Sequence, residues 1–303
     1  MTGKIQYLQR RDINTVLWDE CMDRATNGLV YGYSFYLDHF SKEWDALVYG
    51  DYEYIMPLTW NRKYSFYYLY QPAFTACLGV FGNNPQEQLV QNFVDQIPSK
   101  FRVVEISLNH NNHLISSTGI YQRTNFFLNL ERTYEQLRSQ FRQNVIRNSQ
   151  KAIQYGCYYE LQVEVKEVIR LSQALMQNFP GVDEKDYENF KAVYEILRKK
   201  NKAITRGVFS AEHQLVASAV FFFSHGRAYY ILVGNDPNGK TMGASHLLID
   251  SFIKEHAGQP LYLDFEGSDI KNLAFFYSSF GAKDEFYQAI KWNRLPWWVK
   301  WLK

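Results

Sequence analysis

The sequence predicts an α/β protein with mixed sheets, organised as two tandem domains of like element order. Three observations carry this reading. Segments of helical and strand period alternate along the chain; three strands of the second half run on as an antiparallel meander before a strand–helix–strand crossover; and the same order recurs, less completely, in the first half. With 303 residues there is chain enough for two ordinary domains, and 46% hydrophobic against 21% charged residues is a globular balance. The 23 tyrosines and 22 phenylalanines suit broad sheets whose faces need large flat side chains.

In the first domain, residues 1–130, "KIQYLQ" opens as a strand, and "INTVLWDECMDR" and "SFYLDHF" follow with helical spacing. The meander is "WDALVYG", "YEYIMPLTW" and "YSFYYLY", then come the crossover helix "PQEQLVQNFVDQI" and the strands "RVVEISL" and "TNFFLNL". This copy is degenerate. The polar "NHNNHLISSTG" stands where a last helix is expected, and the loop "QPAFTACLGVFGNNP" before the crossover helix is long and apolar. Trp18 and Trp44 read as core anchors. Residues 131–156 read as one long linking helix, with Leu137, Phe141 and Ile153 among its apolar positions and Arg138, Arg142, Arg147 and Lys151 as its basic ones.

The second domain, residues 157–303, opens with the strand "CYYELQV" and the helices "KEVIRLSQALMQNF" and "DEKDYENFKAVYEILRKKN". The meander follows as "AITRGVFS", "QLVASAVFFFS" and "RAYYILV", broken by the turn-like "AEHQ" and "SHGR". After it come a loop and an amphipathic helix reaching His256, the buried strand "LYLDF", the helix "IKNLAFFYSSF" stopped by Gly281, and the last strand "EFYQAIKW". The crossover after a meander requires a mixed sheet with helices on both faces.

Charge and cysteine content exclude several classes. The 33 basic and 31 acidic residues leave a net charge of +2, so any basic site is local. Cys21, Cys77 and Cys157 are three, widely spaced, and form neither a disulfide framework nor a zinc cage; a reducing, cytoplasmic compartment is expected. The beginning "MTGKIQYLQRRD" has no apolar core of a signal peptide, and no window is apolar enough to span a membrane. The tail "LPWWVKWLK" alternates Trp297, Trp298 and Trp301 with Lys300 and Lys303. It reads either as indoles packed on the body or as a weak membrane-surface contact. His110 and His113 lack an evident third ligand, so no metal is expected.

The junction "NGKTMGAS" in the second crossover admits two readings. A helix start exposes backbone N–H groups that form an anion site, which would make Gly239, Lys240, Thr241, Gly243, Ala244 and Ser245 a phosphate cradle. The alternative is an ordinary turn in which Gly239 supplies a positive φ and Gly243 permits close packing. At the end of the buried strand, Asp264 and Glu266 are candidate general bases, because open α/β sheets bind ligands at the carboxyl ends of strands. The plain reading of Asp264 is a cap of the following turn, with Ser268 and Asp269.

The element order, the junction "NGKTMGAS" and the block "DFEGSDIKNLAFFYSSFGA" resemble the GNAT acyltransferase superfamily, and the tandem arrangement with a basic inter-repeat helix resembles its FemABX-like branch. The likeness covers essentially the whole chain. It implies two GNAT-like domains with the donor in the second, acyl-CoA held by the Gly239–Ala244 loop, and two splayed central strands, "RAYYILVG" and "LYLDF". A backbone amide near Leu232 or Val233 would then hold the acyl oxyanion, and Tyr277 would protonate the leaving group. Tyr277 reads equally as a buried aromatic beside Phe275, Phe276 and Phe280. In the FemABX branch the resemblance implies an aminoacyl-tRNA donor and an amine acceptor such as a peptidoglycan precursor.

On the linking helix, Arg138 and Arg142 share a face, as do Arg147 and Lys151 offset around the axis, so two stripes could take an acceptor's diphosphate or a tRNA backbone. A solvated face is the plain reading, and without aromatic interleaving single-stranded nucleic acid is less persuasive. The expected function is an N-acyltransferase using acyl-CoA, with the acceptor amine admitted between the repeats. The alternatives are a FemABX-type aminoacyl-tRNA-dependent transferase and a catalytically silent binding module.

Overall fold

The computed structural model describes residues 3–115, 118–176, 182–267 and 269–297. The elements run β1 (Ile5–Leu8), α1 (Thr15–Arg24), α2 (Ser34–Phe40), β2 (Glu43–Tyr49), β3 (Tyr54–Lys63), β4 (Phe66–Leu69), β5 (Phe81–Gly82), α3 (Glu87–Asp95), β6 (Phe101–Ser107) and β7 (Ile120–Asn129). They continue as α4 (Tyr134–Arg138), α5 (Gln143–Gln154), β8 (Tyr158–Glu160), α6 (Val165–Met176), α7 (Glu184–Lys199), β9 (Ala203–Phe209), β10 (Leu215–Ser224) and β11 (Arg227–Asn235). The last are α8 (Pro237–Met242), α9 (Ala244–His256), β12 (Tyr262–Asp264), α10 (Lys271–Ser278) and β13 (Lys283–Asn293).

Two compact units result, one of Met1–Arg123 with Phe286–Lys303 and the other of Thr124–Glu285. The divisions therefore fall near residues 124 and 286 rather than at 130 and 156. The first unit's sheet runs β1-β2-β3-β4-β6-β13, with β5 pairing β3; the second runs β8-β9-β10-β11-β12-β7. Position for position the two match, except that their last strands are exchanged. β13 pairs β6 from Ala289↔Ser107 to Asn293↔Val103, and β7 pairs β12 from Asp264↔Phe127 to Tyr262↔Asn129. Alternating hydrophobicity marks both segments as strands but says nothing about which parallel edge each joins.

In the second unit, adjacent Phe221 and Phe222 of β10 show how the strand period distributes helices to both faces. Phe221 stacks on Phe252 of α9 at 3.8 Å between ring centroids, and Phe222 stacks on Phe190 of α7 at 5.3 Å. In the first unit, Val90, Phe93 and Val94 of α3 join Leu47, Leu58, Val104 and Ile106 in one core. Trp18 and Trp44, both buried, lie 5.1 Å apart, and the Trp18 indole N–H donates to the Gly32 carbonyl at 2.8 Å.

Three expectations are corrected. The linking segment is not one helix. α4 is opened by a capping box between Thr133 and Gln136, and α5 starts only after Arg142, whose extended backbone turns its N–H to the Ser279 carbonyl at 2.9 Å. The predicted strand 157–163 shortens to Tyr158–Glu160. The junction 238–245 is mostly helix: Asp236 caps the Asn238 N–H, Pro237 occupies the first helical position, and α8 runs to Met242.

Candidate active site

The central strands of the second unit share only a short ladder, which stops where β12 stops. β11 and β12 pair in parallel only at Arg227↔Tyr262, Ala228↔Leu263 and Tyr229↔Asp264, so Tyr230–Asn235 extends past the end of that ladder. Against β10, Phe221 faces Tyr230 and Val220 faces Leu232, leaving Ile231 as an extra residue. Such a bulge bends its strand and re-aims its groups, and Leu232 and Val233 follow it directly. Leu232 is buried and Val233 half-buried.

Beyond the ladder stand the groups of β12 and α10. Asp264, buried, accepts from Arg227 Nη1 at 2.7 Å through Oδ2, and from Asn125 Nδ2 and the Glu266 N–H, each at 2.9 Å, through Oδ1. Arg227 also binds Glu285, Nη2 to Oε1 at 2.7 Å. Two carboxylates on one guanidinium hold it well above the usual arginine range despite its burial. Both oxygens of the Asp264 carboxylate are thus engaged in a hydrogen-bonded network. Its neighbour Glu266 is half-buried with φ of 66°, followed by Gly267 at 82°. A left-handed non-glycine residue costs on the order of 1–3 kcal/mol and gathers at functional sites.

Tyr277 is buried, stacks on Phe265 at 4.6 Å, and has its hydroxyl pushed up to about 12 by burial and then by the charge of Glu266. Tyr230 stands edge-on to Phe265 at 6.1 Å, and burial and Tyr277 raise its hydroxyl in turn. Sequence reading missed Tyr230, although its place one residue before the bulge, facing Phe265, follows from the strand period. Glu266, Tyr277 and Tyr230 thus place a carboxylate and two phenols near one another around Phe265.

The expected phosphate cradle has a different use. Gly239 is helical, not of positive φ, and is buried where a Cβ would stand 2.2 Å from the Val216 carbonyl oxygen. Gly243 takes the left-handed φ of 89°, and a Cβ there would meet the Asn148 carbonyl at 2.4 Å. Ala244 is fully buried; the His246 and Leu247 N–H groups both donate to the Gly243 carbonyl, and Ser245 Oγ donates to Asn235 Oδ1 at 2.7 Å. Lys240 and Thr241 are exposed on α8, and the Thr241 carbonyl accepts from Lys151 Nζ at 2.9 Å. The glycines thus let α8 approach β10 and α9 approach α5.

The basic residues are not stripes of one helix. Arg138 closes α4 beside Tyr134, Lys151 caps α8, and Arg147 is exposed on α5. Arg142 lies with its guanidinium carbon 4.8 Å from the ring of Phe275, which is 54% exposed, and Lys151 lies 5.8 Å from the ring of exposed Tyr155. The aromatic interleaving that the sequence seemed to lack is therefore supplied from α10 and from the end of α5. Segments 136–159 and 270–283 contain no acidic residue.

Among the described residues no group of three or more His, Cys, Asp or Glu could hold a metal, and no helix is long and apolar enough to cross a membrane. Trp297 is 84% exposed, Leu295 before it is buried, and residues 298–303 of the tail lie outside the described residues.

No family model matches the chain, and no curated protein matches it by sequence. Solved structures do. FemX superposes with a TM-score of 0.62 at 11% identity, over 94% of this chain and 97% of that one. A conserved protein of unknown function from Bacteroides thetaiotaomicron gives 0.56 at 12%, over 96% and 100%. L-PGS from Bacillus licheniformis gives 0.50 at 12%, over 86% and 87%. At these identities the likeness is one of fold.

Proposed function

Because this chain has the GNAT-like fold of FemX-type acyltransferases, we propose that it transfers an acyl group from the 3′ ester of an aminoacyl-tRNA to an amine acceptor. The observation that carries the donor is the pairing of Arg142 with exposed Phe275, on two segments that contain no acidic residue. Cation and ring together favour phosphate and base, the combination that single-stranded nucleic acid ends require. The packing around Gly239 and Gly243 supports this donor over acyl-CoA, since a Cβ at either would strike a carbonyl oxygen and the Gly243 N–H is already given to the Lys240 carbonyl, which leaves little of an open pyrophosphate loop.

The chemistry is direct attack. Glu266 takes a proton from the acceptor amine as its nitrogen adds to the ester carbon, and a backbone N–H beyond the Ile231 bulge steadies the oxyanion. When the carbon–oxygen bond to the ribose breaks, Tyr277 gives the leaving oxygen its proton and regains one from Glu266. The burial that holds Tyr277 protonated at neutral pH keeps it ready for that step.

The test is a comparison of donors. Purified protein should bind charged tRNA with an affinity that falls with salt and falls about 10-fold or more on Arg142→Glu, and single-turnover transfer should follow. Saturable binding of acetyl-CoA with none of tRNA overturns the donor, and transfer unchanged in Glu266→Gln overturns the site.

A further inference from the structure

One residue of the site does no chemistry in the scheme above, yet its contacts reach the residue that does. Asp264 Oδ1 accepts the Glu266 N–H at 2.9 Å, a bond from a side chain to the backbone two residues on, which closes a local turn. Glu266 and Gly267, the next residues, both have positive φ. The turn is held from behind. Asp264 Oδ2 is bound by Arg227, the first residue of β11, at 2.7 Å; Arg227 is itself clamped by Glu285; and Asn125 Nδ2 reaches both Asp264 Oδ1 at 2.9 Å and Glu285 Oε2 at 3.3 Å. Side chains from β7, β11, β12 and β13 thus fix the rotamer of one aspartate, with side-chain exposures of 12% for Arg227, 6% for Asp264 and 14% for Glu285.

We infer that Asp264, locked by Arg227, is a positioning residue: it holds Glu266 in the left-handed turn that keeps its carboxylate beside Tyr277. Without the bond, Glu266 relaxes to an ordinary backbone conformation, and its carboxylate turns away from Tyr277. This inference rests on the proposed transferase reading for its consequence in rate, though not for its geometry.

The experiment is a double-mutant cycle with charged tRNA as donor. Asp264→Ala is expected to lower kcat by about 10- to 100-fold with KM held within a factor of about two, and to have no further effect in the Glu266→Gln background, since a residue acting through another adds nothing once that other is gone. Equal losses in both backgrounds, or a kcat within about twofold of wild type, overturn the inference. Asp264→Leu, which is of similar size but offers no acceptor, takes the place of the alanine if the latter does not fold. If the wild-type protein transfers nothing, the transferase reading fails by itself, and hydrogen exchange at the Glu266 amide then decides the geometry. It should be at least about 10-fold slower in wild type than in the Asp264 variant; equal exchange overturns the inference.

Discussion

Both units contain the same crossover, a strand leading through a helix to a parallel neighbour, and each treats the space past the last paired residues in its own way. In the first unit, β4 and β6 pair from Tyr67↔Phe101 to Leu69↔Val104, and the chain beyond them is then tied by further hydrogen bonds beside a shallow cavity lined by Tyr70, Gln71, Ile106 and Ser107. Gln71 Oε1 accepts the Ser107 N–H at 3.0 Å, Leu78 bridges Leu108, and Asn109 and Asn112 bind the carbonyl of Val80. In the second unit, the residue after Tyr229↔Asp264 turns its N–H to the Phe126 carbonyl of β7 at 2.9 Å. The chain bends off at Glu266, and aromatic and ionisable side chains gather around Phe265. One topology supports either course, and the outcome depends on whether the residues after the strand continue extended or enter a left-handed turn.

The largest expected effect bears on the second copy. Glu266→Gln should reduce single-turnover transfer by about 10²–10⁴-fold, whereas Gln71→Leu in the first copy should leave the rate within about twofold. Comparable losses would show that the first copy also takes part in the chemistry. Next comes stability. Arg227→Met leaves Asp264 and Glu285 buried without their partner and should cost about 3–5 kcal/mol in urea unfolding. A loss below about 1 kcal/mol would mean that water reaches the network.

His246, at the start of α9, has its imidazole pressed down to about 4 by burial against Phe276 and Phe280. The unfolded chain binds that proton near pH 6.5, so the unfolded state holds more protons between the two values. Stability should be full above about pH 6.5 and fall by up to about 3 kcal/mol as pH drops toward 4. The decline should flatten in His246→Leu, and an unchanged profile in that variant would relocate the titration. Smallest is the backbone term. Gly243→Ala should cost about 2–3 kcal/mol because φ of 89° and the Asn148 carbonyl both oppose a Cβ; Gly226→Ala, at φ of 70° with open space around it, should cost about 1 kcal/mol. Equal costs would mean that α5 yields.

The meanders and their flanking helices were legible because strand and helix periods are local properties, as the agreement over Ala203–Asn235 and Glu184–Lys199 shows. Glu266 and Tyr277, the residues proposed to act, stood out in the sequence as a strand-end carboxylate and a tyrosine ahead of Gly281. The short α8 had a signal too, in Asp236-Pro237, but the same dipeptide also begins turns, and the glycines after it favoured a loop. The break before Arg142 had none: no proline or glycine marks it, and the deciding bond goes to Ser279, more than a hundred residues away. The role of Asp264 was hidden for the same reason, since Asn125, Arg227 and Glu285 meet only once the last strands have been exchanged.

That exchange also sets a timetable for synthesis. The second unit is one uninterrupted insert, complete as soon as residue 285 has emerged from the ribosome, while the first must hold β6 without its outer neighbour until the final strand follows. Roughly 160 residues, the length of the insert, separate Arg123 from the return of the first unit at Phe286, on the order of ten to thirty seconds of translation. The half of the protein made first is therefore the half finished last.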